Sequence, residues 1–155
     1  MFNLYPITWL CEWLDAFNSK PSQAFDSVSH PKLIHKLQAY DFCGRLLCVL
    51  SDFLCDRTQQ VVLPNGTSTL RSVISGVPEG SVLGPILFLI YINDIVNLFS
   101  NSDVSTKLFA NDIKIYLELT SEADYSTLQK SINKIFDWSK TWQLKLANDK
   151  CQHHR

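Results

Sequence analysis

Two short segments hold the residues whose types and spacing could do chemistry. The first, Ser75-Gly76-Val77-Pro78-Glu79-Gly80-Ser81-Val82-Leu83-Gly84-Pro85, packs three glycines and two prolines into eleven residues. Glycine carries no Cβ, so a turn of this kind lets backbone approach a bulky ligand closely, and it opens directly onto an apolar helix. The second, Phe109-Ala110-Asn111-Asp112, begins 24 residues after Pro85. It sits between two apolar alternating runs and therefore reads as the tip of a β-hairpin that carries an acidic residue.

The elements that must position these segments are legible on both sides. Pro31 suits the first turn of a helix from His30 in which Leu33, Ile34 and Leu37 recur at helical spacing. A second helix over residues 44–54 carries Leu46, Leu47, Leu50 and Phe53 on one side. Residues 59–63 and 69–74 flank Pro64-Asn65-Gly66, a turn tripeptide with one fixed φ and a residue tolerant of positive φ. A core helix is expected over 82–99, strands over 107–109 and 113–119, a helix from Ser121 to about Lys140 and a last strand over 143–146. In the second of those strands Ile113, Ile115 and Leu117 alternate with Lys114, Tyr116 and Glu118, the pattern of a half-buried strand. This order predicts an α+β domain, an antiparallel sheet with helices packed on one face.

At 155 residues and 46% hydrophobic the chain has the length of one domain and enough apolar material for a core. A net charge of −1 and a pI near 6.4 are unusual for a protein that holds nucleic acid. Cys11, Cys43, Cys48, Cys55 and Cys151 are odd in number and lack zinc spacing, which predicts reduced thiols. Residues 82–92 are too short and too interrupted to span a bilayer, and the N-terminus lacks the features of a signal peptide. The reading is an intracellular chain, nuclear or cytoplasmic, neither secreted nor bound to a membrane.

The two opening segments, with Ala24-Phe25-Asp26-Ser27-Val28-Ser29-His30, Phe88-Leu89-Ile90-Tyr91-Ile92-Asn93-Asp94 and Trp138-Ser139-Lys140-Thr141-Trp142-Gln143-Leu144-Lys145, closely resemble the reverse transcriptase domain of non-LTR (jockey- or LINE-like) retrotransposons. The resemblance covers roughly residues 23–152 and implies a polymerase palm subdomain, with most of the fingers and all of the thumb missing. Residues 1–22 do not match, and 153–155 form a tail.

That resemblance implies an RNA-directed DNA polymerase acting on an RNA template and a DNA primer with two Mg²⁺ ions about 4 Å apart. Carboxylates supply the hard oxygens and the negative charge such ions need. The family places one Asp six residues before the position of Asp26, where this chain has Lys20, and two at the hairpin tip, here Asn111 and Asp112. A triad of charge −3 thus becomes +1, 0 and −1, a sum of 0 and a difference of three units. Two unit charges about 4 Å apart interact by about 4 kcal/mol at an effective dielectric near 20, so the exchange predicts an inactive polymerase. Leu14-Asp15 offers an alternative first ligand displaced by five residues, which leaves Asn111 unrepaired.

Other positions follow from the same resemblance. Phe25 matches the steric gate that crowds a ribose 2′-hydroxyl; the alternative is a core Phe beside a helix start. Gly76, Pro78, Glu79 and Gly80 form the nucleotide- and template-facing loop, with Glu79 standing where the family usually carries Gln. Lys150 matches a lysine that protonates the leaving pyrophosphate, against the alternative of a solvated surface group. Asp26 is expected to serve the start of the helix near Pro31, and Asp94 the far end of the helix over 82–99. His30, His35, His153 and His154 read as surface groups, and Trp138 and Trp142 as core anchors. The rival readings are a non-catalytic RNA- or protein-binding module and a retroelement fossil with no selected function.

Overall fold

The computed structural model describes residues 6–12, 23–109, 112–118, 120–144, 146 and 152–154, with no side-chain description for 6–12, Gln23 and 152–154. In chain order the elements are β1 (Pro6–Glu12), α1 (Gln23–Asp26), α2 (His30–Ala39), α3 (Gly44–Leu54), β2 (Thr58–Gln59), β3 (Val62–Leu63), β4 (Gly66–Thr67), β5 (Arg71–Ser72), α4 (Leu83–Ile92), a 3₁₀ helix (Asn93–Phe99), β6 (Ser105–Phe109), β7 (Asp112–Glu118), α5 (Glu122–Trp142) and β8 (Gln152–His154). The chain forms two compact units, Met1–Ala24 with Ile92–Arg155, and Phe25–Tyr91. No helix among the described residues is long and apolar enough to cross a membrane.

The first unit is built on a four-stranded antiparallel sheet in the order β6-β7-β1-β8. Along β7, Ile113, Ile115 and Leu117 are buried while Lys114 and Glu118 are exposed, so one face is core and the other solvated. Helix α5 covers that core with Leu128, Ile132, Ile135 and Trp138, spaced at three or four residues so that one stripe turns inward. The helix starts at Ser121, where the Asp124 carboxylate accepts the backbone N–H groups of Thr120 and Ser121, both at 2.7 Å. These bonds hold the Asp124 carboxyl below the usual carboxylate range. Trp138 and Trp142 stand side by side with ring centres 6.3 Å apart, Trp138 buried and Trp142 half-buried.

In the second unit, α2 buries Leu33 and Leu37 and packs against α3, which buries Leu50 and Leu54. Helix α4 contributes Leu87, Phe88 and Tyr91. Lys36 is buried as well: its ammonium donates to the Tyr91 carbonyl and lies 5.0 Å from the centre of the Tyr91 ring. The 58–72 segment forms two short ladders, β2 with β5 and β3 with β4, and all of it is exposed.

Several expectations are corrected. Residues 6–12, which match no family motif and show no sequence period, form a strand paired with both β7 and β8. The helix expected over 82–99 is two elements, because the chain tightens into a 3₁₀ helix at Asn93. Leu46 on α3 is 53% exposed and Leu54 takes the inward position. The Leu63↔Gly66 pair leaves Pro64-Asn65 as the turn, and neither Asn65 nor Gly66 has a positive φ. Gln143 does not begin a strand: it ends α5 with φ 58°, and the last strand lies at 152–154. Cys43, Cys48 and Cys55 are free thiols, and the side chains of Cys11 and Cys151 lie outside the described residues.

Candidate functional site

The glycine turn is strapped to the residues just before α2. Ser75 bridges Ser29 as an antiparallel pair, the Gly76 N–H donates to the Val28 carbonyl at 2.8 Å, and the Val77 N–H donates to the Phe25 carbonyl at 2.9 Å. Gly76 adopts φ +93°, and a Cβ there would lie 2.8 Å from the Asp26 Cα. Conformation and crowding therefore each require glycine. The Gly76 carbonyl in turn accepts a 2.7 Å hydrogen bond from His30 Nε2, which fixes the tautomer with its proton on that nitrogen.

His30 is 4% exposed, not the surface group expected from the sequence. Nothing in a lone histidine signals this role, since its partner stands 46 residues away. Asp26 also departs from expectation, because Ser29 occupies the N-cap of α2 and Asp26 instead closes α1. Asp94 lies in the first turn of the 3₁₀ helix and not at the end of a long helix.

The rest of the turn is held from within. Ser81 Oγ donates to the Pro78 carbonyl at 2.7 Å and accepts the Gly84 N–H at 2.9 Å, so the prolyl segment folds back on the start of α4. A Cβ at Gly84 would lie 2.5 Å from the Pro78 oxygen, whereas Gly80, at φ +72°, has open space around it. Glu79 is exposed. Partial burial and, secondly, the Glu79 carboxylate push the Asp26 carboxyl above its ordinary 3.8. The Phe25 ring is half-buried and stacks on Phe88 with centres 4.6 Å apart and planes 21° apart.

The acidic hairpin belongs to the other unit. Asp112 is not in the turn itself: it opens β7, half-buried, paired with Phe109 on β6 and with Glu12 on β1. The pairing with β1 brings an acidic residue into register with Asp112, a neighbour that no local sequence signal announces. Ala110, Asn111, Asp15, Lys20 and Lys150 lie outside the described residues. Among the described residues no three His, Cys, Asp or Glu side chains gather where a metal ion could be held. The described donors thus do not fit a pair of divalent ions, because Asp112 is a single carboxylate and its sequence neighbour Asn111 is neutral.

Comparison with known proteins points in one direction. A family profile described as reverse transcriptase (RNA-dependent DNA polymerase) matches residues 21–155. The chain is 32% identical over 135 residues to the RNA-directed DNA polymerase from mobile element jockey of Drosophila melanogaster, covering 83% of this chain and 15% of that protein. It is 32% identical over 145 residues to the probable RNA-directed DNA polymerase from transposon BS of the same organism, covering 90% and 16%. The chain therefore spans about a sixth of these relatives or less. The solved structure of telomerase from Candida albicans, in complex with a fragment of telomeric RNA, superposes with a TM-score of 0.69 at 14% identity, over 97% of this chain and 28% of that one. At that identity the likeness shows the fold, an α+β polymerase architecture.

Proposed function

Since the chain belongs to the reverse transcriptase (RNA-dependent DNA polymerase) family, we propose that it is a palm domain descended from an RNA-directed DNA polymerase that no longer transfers nucleotides. Asp112 carries the proposal: it is half-buried at the start of β7, and the residue before it is the neutral Asn111. The neutral Asn111 at a family ligand position weakens the field that would hold Mg²⁺ beside a triphosphate. Gly76, Pro78, Gly80 and Phe25 keep the loop and the ring on which the family seats template and nucleotide. Glu79 opposes that ligand, since a carboxylate there repels phosphate.

Strand β1 favours one revision of the domain boundary. It pairs with β7 and ends at Glu12, opposite Asp112. We therefore read residues 6–12 as part of the palm sheet, which makes Asp15, three residues past the strand, a better candidate for the first family carboxylate than Lys20, eight residues past it. On this reading the site still lacks the carboxylate replaced by Asn111. Lys150 stands as the family's proton donor to pyrophosphate, a role with no occasion in a chain that does not form it.

Primer extension on an RNA template with a DNA primer, in Mg²⁺ and separately in Mn²⁺, tests the proposal. No template-dependent incorporation above an Asp112→Ala control is expected. Incorporation that the control abolishes would overturn it.

A further inference from the structure

Helix α3 carries a stripe of exposed residues beside its core face. At about 100° per residue, Val49 stands at the middle of the stripe, with Leu46 and Phe53 along one side of it and Arg45 and Asp52 along the other. Leu50 and Leu54 turn to the core, whereas Val49 is 60% exposed, Leu46, Arg45 and Asp52 are exposed and Phe53 is half-buried. Neither Arg45 nor Asp52 has an ion-pair partner among the described residues. Their places are also unfavourable to the helix itself, because Arg45 lies in its first turn, at the positive end of the backbone dipole, and Asp52 in its last turn, at the negative end.

An antiparallel copy of the same helix answers all of these features at once. Arg45 stands four residues before Val49 and Asp52 three after it. A twofold axis beside Val49 therefore brings Arg45 of one copy within about 1.5 Å, along the helix axis, of Asp52 of the other, on the same side of the seam. Leu46 and Phe53 meet in the same way on the opposite side, and Val49 packs on Val49 of the second copy. Each charge then gains an opposite charge and the favourable end of the other helix's dipole. We infer that α3 is a symmetric contact surface whose partner is a second copy of this chain, packed antiparallel through Leu46, Val49 and Phe53 and closed by two Arg45–Asp52 ion pairs. Nucleic acid or an anionic surface would meet Asp52 beside Arg45, and a partner of one charge would satisfy only one of the two. Eleven residues of helix bury less than a standard interface, so the dimer is weak and depends on protein concentration. The inference is independent of the polymerase descent and of the loss of nucleotide transfer.

The test is sedimentation velocity across a concentration series, on the wild type and on a Val62→Lys, Ile74→Lys background that removes association through the exposed ladders. A monomer–dimer equilibrium should persist in that background and weaken as salt is raised. Arg45→Asp and Asp52→Arg should each weaken the dimer at least about tenfold, since each sets like charges opposite one another twice. Arg45→Asp combined with Asp52→Arg should restore it to within about threefold. Val49→Lys, which sets two ammonium groups at the twofold axis, should leave only monomer. Lys130→Asp, exposed on α5, makes the same change in net charge as Arg45→Asp and should alter nothing. The exchanged pair puts Asp in the first turn and Arg in the last, so that double variant should melt no lower than its background, which separates a lost contact from lost folding. A background protein that stays monomeric at every concentration, single reversals without effect, or a double variant that remains monomeric would overturn the inference. Nucleotide incorporation in the extension assay would overturn the loss of transfer and leave this result standing.

Discussion

Gly76 has two independent reasons for carrying no side chain, a positive φ and the Asp26 backbone pressed against it, whereas Gly80 has only the first. Gly76→Ala should therefore cost more than the roughly 1–3 kcal/mol of a strained backbone conformation alone, and Gly80→Ala no more than that. Urea unfolding of the two variants checks the order; equal losses would contradict the crowding. His30→Leu leaves the buried Gly76 carbonyl without its donor and should cost about 1–3 kcal/mol, with part recovered in His30→Gln, whose amide can donate. Asp26 gives a pH signature. Its folded pKa lies above 3.8, so its contribution to stability is present at low pH and declines as pH rises through that raised value. Glu79→Gln should lower the Asp26 pKa toward 3.8 without reaching it, since burial is the larger cause; an unchanged NMR titration would contradict the pairing.

At the level of elements, the helices are legible in the sequence because their signals are local. Pro31 and the Leu33, Ile34, Leu37 spacing mark α2, and residues 44–54 form α3 as expected. The β6–β7 hairpin is legible from alternation, and the register closes it at Phe109↔Asp112. Strand β1 is not, because Pro6-Ile7-Thr8-Trp9-Leu10-Cys11-Glu12 is a short apolar run without a period, and only its long-range partner β7 defines it. The same limit hides His30, whose role exists only once Gly76 folds back on it. For the candidate site, the loop glycines and Asp112 are readable as residue types, while the strap from residues 25–30 is not. Helix α5 carries its own test: Asp124 has a depressed pKa, so its cap is intact above the unfolded carboxylate range and is lost as pH falls through the folded value. In Asp124→Asn the acid-side loss of α5 helicity, followed by circular dichroism, should be smaller; an unchanged acid profile would contradict the cap.

For the whole molecule, exposed apolar residues are the main liability. Val61, Val62, Leu63, Leu70, Ile74 and Val82 are all more than 60% exposed, along a segment whose short ladders end in open strand edges. The chain should self-associate with rising concentration, and Val62→Lys with Ile74→Lys should reduce that in sedimentation velocity; an unaffected profile would place the association elsewhere. The central claim proposed above concerns charge at the hairpin: the family fold is kept while neutral Asn111 stands at one of the positions where the family carries a carboxylate. The most direct measurement is primer extension by the full chain on an RNA template in Mg²⁺ and Mn²⁺, beside Asp112→Ala and Asn111→Asp. The account predicts no incorporation by the wild type or Asp112→Ala, and a gain, if Asp15 is the first ligand, only on Asn111→Asp. Template-dependent synthesis by the wild type that Asp112→Ala abolishes would contradict it.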